Sequence, residues 1–299
     1  MTAQVTSKYR DERITTLRVV GNVSLFGLML ILAILFVAPF FWTAASSLKS
    51  YGEIYRYPPT LFPAKPMWEN YRLIFTQVPF LRFIYNTLMI SVLTVIGATG
   101  SSALVGYSFS RFRWPGRDVF FIICLATMML PVEVTLIPTY ILFSKIKWID
   151  TWRPLIVPAW FGGGAFNIFL FRQFFMTIPM DLDDAAMIDG AGPFRTFWEI
   201  LLPLCKPAIT TVMVIGFIGS WNNFLGPLVF LNTTEKYPIS LGIQWFQGVA
   251  GNIGAFGQPT EQLMMAAAFV ATLLPLIIFM SAQRFFVEGI VTTGFKGAA

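Results

Sequence analysis

The chain has 299 residues, of which 56% are hydrophobic and 12% charged, with 21 Lys and Arg against 15 Asp and Glu for a net charge of +6. That balance is too apolar for an ordinary soluble domain of this length. The positive charge is scattered, with no basic run or aromatic-interleaved basic face, which argues against nucleic acid as a partner and leaves lipid headgroups as the counter-charge.

A spanning helix needs roughly 20 apolar residues to cross about 30 Å of hydrocarbon. No charge falls between Arg18 and Lys49, Arg82 and Arg111, Arg153 and Arg172, Lys206 and Glu235, or Glu261 and Arg284, and a sixth apolar stretch, Val119 to Phe143, holds only Glu133. The expectation is an all-α integral membrane protein with six transmembrane helices at about 19–48, 83–110, 119–143, 154–176, 207–231 and 262–284. These fill a six-span transmembrane domain at 19–288, between an N-terminal segment 1–18 and a tail 289–299. The apolar run Leu25 to Ala45 is longer than the ~7–15-residue core of a secretory signal, so it reads as a retained helix.

An even number of spans puts both termini on one side. If that side is the cytoplasm, 12 of the 21 Lys and Arg lie inside, among them the three in the short loop Arg111-Phe-Arg-Trp-Pro-Gly-Arg117. Three segments outside the spans are long enough to carry function: Lys49 to Leu81, Thr177 to Pro207 and Asn232 to Glu261.

In the second span, Ala98, Ser102 and Gly106 recur every four positions, a face suited to close helix packing. Cys124 and Cys205 have no metal or redox spacing and read as packing residues. Glu133 would cost about 2.5–3.5 kcal/mol at a lipid-facing bilayer centre. It is read either as a residue lining a polar pathway or pairing with another membrane subunit, or as a carboxylate near the interface; Pro131 and Pro138 beside it predict an irregular outer half of the third span. Gly162-Gly163-Gly164, after Pro154 and Pro158, predicts a break in the fourth span.

Residues 177–207 are the most informative. Asp181-Leu-Asp-Asp-Ala-Ala-Met-Ile-Asp-Gly190 reads as a short helix capped by Asp181, with Asp183 and Asp184 at the positive end of its dipole and Gly190 as its stop. Pro193 suits the first position of a second helix, along which Phe194, Phe197, Trp198 and Leu201 are expected to form an aromatic ridge ending at Pro203. In the fifth span, Asn222 and Asn223 beside Trp221 fit either sugar hydroxyls with a stacking ring or hydrogen bonds across a pair of membrane subunits. Beyond it, the Gly-, Gln- and Asn-rich stretch from Tyr237 to Thr260 holds Trp245, Phe246 and Phe256.

The run Asp184-Ala185-Ala186-Met-Ile-Asp189-Gly190-Ala191, followed by Phe197, Leu202-Pro203 and Pro207, resembles the EAA loop of binding-protein-dependent ABC importer permeases, with Asp184 in place of the leading Glu. The tail Arg284-Phe-Phe-Val-Glu-Gly-Ile-Val-Thr-Thr-Gly-Phe-Lys-Gly297 is similar to those of the maltose-type carbohydrate branch, second six-span permease. The resemblance implies a transport subunit of a bacterial or archaeal inner membrane for a sugar or oligosaccharide. Its partners would be a second permease, two ATPase subunits, an extracytoplasmic substrate-binding protein and membrane lipid. It implies that residues 177–207 are a cytoplasmic coupling loop in which Asp183, Asp184, Ala185, Ala186, Asp189, Gly190, Ala191, Phe197 and Pro203 serve ATPase coupling. Trp245, Phe246 and Phe256 would lie toward the binding protein, and the tail from Gly289 near the ATPase.

ATP and Mg belong on the partner ATPase, since this sequence has no G-x-x-x-x-G-K-[ST] phosphate loop. It has no histidine and no visible nucleophile-base pair, so neither a catalytic nor a metal site is expected. A permease for a non-sugar solute shares the EAA loop and stays open as an alternative. An ion-coupled secondary transporter is a more distant one, because internal repeats are not visible and Glu133 alone is an intramembrane charge.

Overall fold

The structure, a computed structural model, describes residues 2–251 and 261–294, with side chains described for 21–248 and 261–283. Among the described residues there are helices and no strands. The chain divides into two units, residues 1–72 with 259–269, and residues 73–258 with 270–299.

In the first unit, α1 (Thr2–Ser47) is one helix that includes most of the expected N-terminal segment. It is followed by the short helix α2 (Tyr51–Ile54) and by α3 (Glu69–Thr76), whose first residues belong to this unit. The end of α1 is tied to the following loop by buried polar groups. The Asn70 amide donates to the carbonyls of Ser47 at 2.8 Å and Lys49 at 3.0 Å, and the Lys49 ammonium lies 4.3 Å from the Trp42 ring centre.

The second unit is organised by α4 (Phe80–Arg111), against which α8 (Ala165–Thr177) and α12 (Lys206–Trp221) pack. Close approach explains the small residues foreseen on α4. A Cβ on Gly106 would stand 2.8 Å from Phe171 Cβ, and one on Gly163 would overlap the Ala98 carbonyl. In a bilayer such packing, rather than exclusion of water, holds helices together.

The expected third span is two helices, α5 (Arg117–Ala126, continued by a tight turn to Met129) and α6 (Val132–Lys145), bent by 99°. Pro131 lies at the break, and the residue before a proline is pushed out of the helical region. The fourth is α7 (Arg153–Ile156) with a tight turn through Trp160, then a break at Gly162–Gly164, all at positive φ, before α8. The fifth is also not one helix to residue 231: α12 stops at Trp221, and α13 (Leu225–Phe230) follows after three residues. The connection from Asn232 to Glu261 contains α14 (Ile239–Gly251), and α15 (Glu261–Gly294) runs past the expected end of the sixth span into the expected tail.

Among the described residues, four helical stretches are long and apolar enough to cross a membrane, Gly21–Ser47, Phe80–Arg111, Arg153–Thr177 (through its glycine break) and Glu261–Gln283, and two further bent pairs pass together.

Candidate functional site

Residues 177–207 fold as an elbow built on α4. Its first leg is α9 (Asp181–Ile188), with Asp181, Asp183 and Asp184 in the first turn, where free amides and the positive dipole end favour carboxylates. Met180 precedes the helix, so Asp181 is its first residue rather than its cap, and it makes no capping bond.

At the other end, the Gly190 amide donates to the Met187 carbonyl at 3.1 Å and the Ala191 amide to that of Ala186 at 2.8 Å. These are the paired bonds of a Schellman ending, with Gly190 at φ +78°. Pro193 then opens α10 (Pro193–Arg195) at a position where its missing amide costs nothing.

A wide π turn, Thr196–Leu201, leads into α11 (Leu202–Leu204). Phe197 and Leu201 are buried in a cluster with Ala103, Tyr107, Phe171 and Phe175, and the Phe197 and Tyr107 ring centres lie 5.1 Å apart. The expected single ridge is instead two rows. Residues four apart share a face, so Phe197 and Leu201 turn inward, while Phe194 and Trp198 turn outward, 70% and 61% exposed.

Two side chains from the end of α4 hold the elbow. The Tyr107 hydroxyl donates to the Pro193 carbonyl at 3.1 Å. Arg111 Nε lies 3.2 Å from Asp183 Oδ2, and Nη2 donates to the Ile178 carbonyl at 3.1 Å. Burial pushes the Asp183 carboxyl up from its ordinary value, and Arg111 draws it back.

Asp183, grouped above with the residues of ATPase coupling, is engaged by Arg111 of its own chain. Asp184, Ala185, Asp189 and Pro203 are exposed, Ala191 is half-buried and Ala186 is buried. Beside Asp184 and Asp189 stand Met187 and Ile188, 71% and 87% exposed.

A second polar assembly fixes the start of α14. Asp150, at φ +58°, accepts through its carboxylate from the amides of Asn232 and Thr233, both at 3.0 Å, and from the Thr233 hydroxyl and Lys236 ammonium, both at 2.6 Å. Asn86 donates to the carbonyls of Glu235 at 2.8 Å and Tyr237 at 2.9 Å, and the Ile239 amide donates to the Thr87 hydroxyl at 2.7 Å. Burial pushes the Asp150 carboxyl up, and the bonds from Lys236, Thr233 and Asn232 outweigh it, leaving the group well below the usual carboxylate range.

The aromatics expected toward a binding protein are placed unequally. Phe246 is 2% exposed, because α14 turns it inward, so it presents no surface. Trp245 is half-buried and edge-on to Phe83 at 6.2 Å, and Phe256 lies outside the described residues.

Trp221 is also committed within the chain. Its indole N–H donates to the Ala271 carbonyl at 3.1 Å and its ring stacks on Phe217 at 5.6 Å, which leaves the Asn pair without it as a stacking platform. Asn222 and Asn223 are exposed at the break after α12, and Glu133 is exposed on the first turn of α6. The elbow residues are thus gathered on one feature, whereas Glu133 and the Asn pair lie on different elements. Arg111, Tyr107 and Asp150 were not foreseen as site residues. Arg111 stood out only as a loop cation, and nothing in the run around Asp150 marks it.

The model of one protein family, described as binding-protein-dependent transport system inner membrane component, matches residues 98–291. The sn-glycerol-3-phosphate transport system permease protein UgpE of Yersinia enterocolitica is 35% identical over 272 residues, covering 89% of this chain and 92% of that protein. The protein of the same name from Brucella suis is 36% identical over 274 residues, covering 89% and 95%. A chain of a bacterial ABC transporter involved in the import of the acidic polysaccharide alginate superposes with a TM-score of 0.78 at 24% identity, over 90% of this chain and 97% of that one. A chain of the alginate transporter in complex with an alginate pentasaccharide-bound periplasmic protein gives 0.60 at 19%, over 86% and 92%. At these identities the two structures establish the fold.

Proposed function

The chain belongs to the family of binding-protein-dependent transport system inner membrane components, and from that premise we propose that it is the membrane-spanning permease subunit of an ATP-driven importer for a sugar, oligosaccharide or sugar-alcohol phosphate. It forms half of the pathway beside a second permease, takes its energy from two ATPase subunits that hold ATP and Mg, and receives solute from an external binding protein. The substrate class rests on the likeness of the tail to carbohydrate permeases and on relatives named for sn-glycerol-3-phosphate.

The elbow supports this reading most directly. Met187, Ile188 and Phe194 are exposed at 71%, 87% and 70% on a feature bracketed by apolar spans. A cluster of large exposed apolar side chains with Asp184 and Asp189 beside it fits a groove of another protein with an apolar floor and cationic rim. In this reading the elbow and both termini are cytoplasmic, Asp184 and Asp189 meet the ATPase, and the loop carrying α14 is external.

The test is co-purification and turnover. With its partner permease, ATPase and binding protein, the chain should give ATP hydrolysis stimulated by the solute-loaded binding protein. Ile188→Asp should release the ATPase from the membrane while the chain stays inserted; full retention of the ATPase would remove the elbow as its dock.

A further inference from the structure

We propose that Arg111 is a positioning residue for transport, the joint through which movement of the elbow reaches α4, and that Asp183 is its partner. The proposal rests on the reading that the elbow docks an ATPase, and it assigns Asp183 to the inside of this chain rather than to that dock.

The Arg111 side chain is 4% exposed and that of Asp183 14%. A guanidinium is left this dry only where its donors find partners. Here three positions on the approach to the elbow converge on it: the Ile178 carbonyl at 3.1 Å, Met180 Sδ at 3.0 Å and Asp183 Oδ2 at 3.2 Å. Neither Arg111 Nε nor Asp183 Oδ2 has an aligned hydrogen bond, so that contact is an ion pair held by charge, while the two Nη groups supply the directed contacts. A planar fork presents a separate nitrogen to each of the three, where an ammonium offers a single point charge.

One turn earlier, Tyr107 holds the Pro193 carbonyl and packs its ring on Phe197. The end of α4 therefore grips the first leg of the elbow through Arg111 and the second through Tyr107. A shift of α9 cannot leave α4 in place without stripping a buried cation of its partners. Because Gly106 brings α4 against Phe171 of α8, the same shift is carried to a second helix.

A double-mutant cycle in the assembled, reconstituted complex tests this, reading solute moved per ATP hydrolysed together with the amount of bound ATPase. Arg111→Gln and Asp183→Asn are each expected to lower the transport ratio about tenfold with the ATPase still bound, and the double variant to be no worse than either. Arg111→Lys, which keeps charge and fold but not the fork, should recover only part of the ratio. Multiplying losses in the double variant would overturn the joint, as would release of the ATPase by Asp183→Asn with Arg111→Gln harmless. Hydrogen exchange of the 178–184 amides in the purified native and Arg111→Gln chains separates this from the importer reading. Faster exchange in the variant is expected whether or not the complex transports, and unchanged exchange overturns the joint even where transport is normal.

Discussion

At Gly190 the backbone sits at φ +78°, yet a Cβ there would meet nothing within 4 Å, so the requirement for glycine within this chain is conformational rather than one of space. The left-handed conformation costs an L residue about 1–2 kcal/mol, and Asn bears it best among residues with a side chain. Gly190→Ala should therefore slow uptake more than Gly190→Asn in an initial-rate assay, with both proteins inserted normally. Equal rates would show that the turn is not what the position secures. Gly190→Trp adds an indole at the exposed turn and should abolish uptake. Gly163 is the opposite case, since it is φ +65° and also crowded by the Ala98 carbonyl. The sequence made both glycines visible as breaks, because a run of three and a D-G after an acidic helix are local signals. It could not separate strain from crowding, which depends on Ala98 of α4, far earlier in the chain. Nor could it show that Asp183 turns inward while its neighbour Asp184 turns outward; that is settled by where Arg111 ends α4.

Among elements, the breaks were more legible than their geometry. Pro131 and the glycine run announced irregular third and fourth spans, but neither signal carries the size of the bend, 99° between α5 and α6. α14 was unreadable because its Gly and Gln content resembles a loop; it is helical after an approach pinned by Asp150 and Asn86, with its first residue, Ile239, held by Thr87. That pinning has a pH signature. Asp150 is held below its unfolded value of about 3.9, so its stabilising contribution is complete above that value and is lost as pH falls through the lower folded one. Exchange protection of the Asn232 and Thr233 amides, corrected for intrinsic rate, should accordingly decline on acidification below about pH 4. Asp150→Asn should be less protected at neutral pH and show no such decline; an acid step of the same size in the variant would assign it to another group.

For the whole molecule, composition and charge-free runs were sufficient to read a helical membrane protein, because hydrocarbon thickness imposes a length that sequence cannot hide. They were insufficient to count its crossings. α12 has 16 residues, about 24 Å at 1.5 Å per residue, short of a ~30 Å core. It also meets the preceding Pro193–Leu204 helix at 78° and is followed by the Asn222–Phe224 break. Six crossings therefore require α12, the break and α13 to traverse the bilayer together, with the exposed Asn222 and Asn223 facing protein or water rather than lipid. Ile188 and Glu235, both exposed, flank this stretch. With Cys124 and Cys205 replaced, a membrane-impermeant maleimide should reach Glu235→Cys in intact cells, and Ile188→Cys only after the inner membrane is opened. Labelling of both from one side would make α12 and α13 a re-entrant pair, leave an odd number of crossings and put the two termini on opposite sides. The elbow and the α14 loop would then share a face, which an importer that takes solute from one side and ATP from the other cannot accommodate.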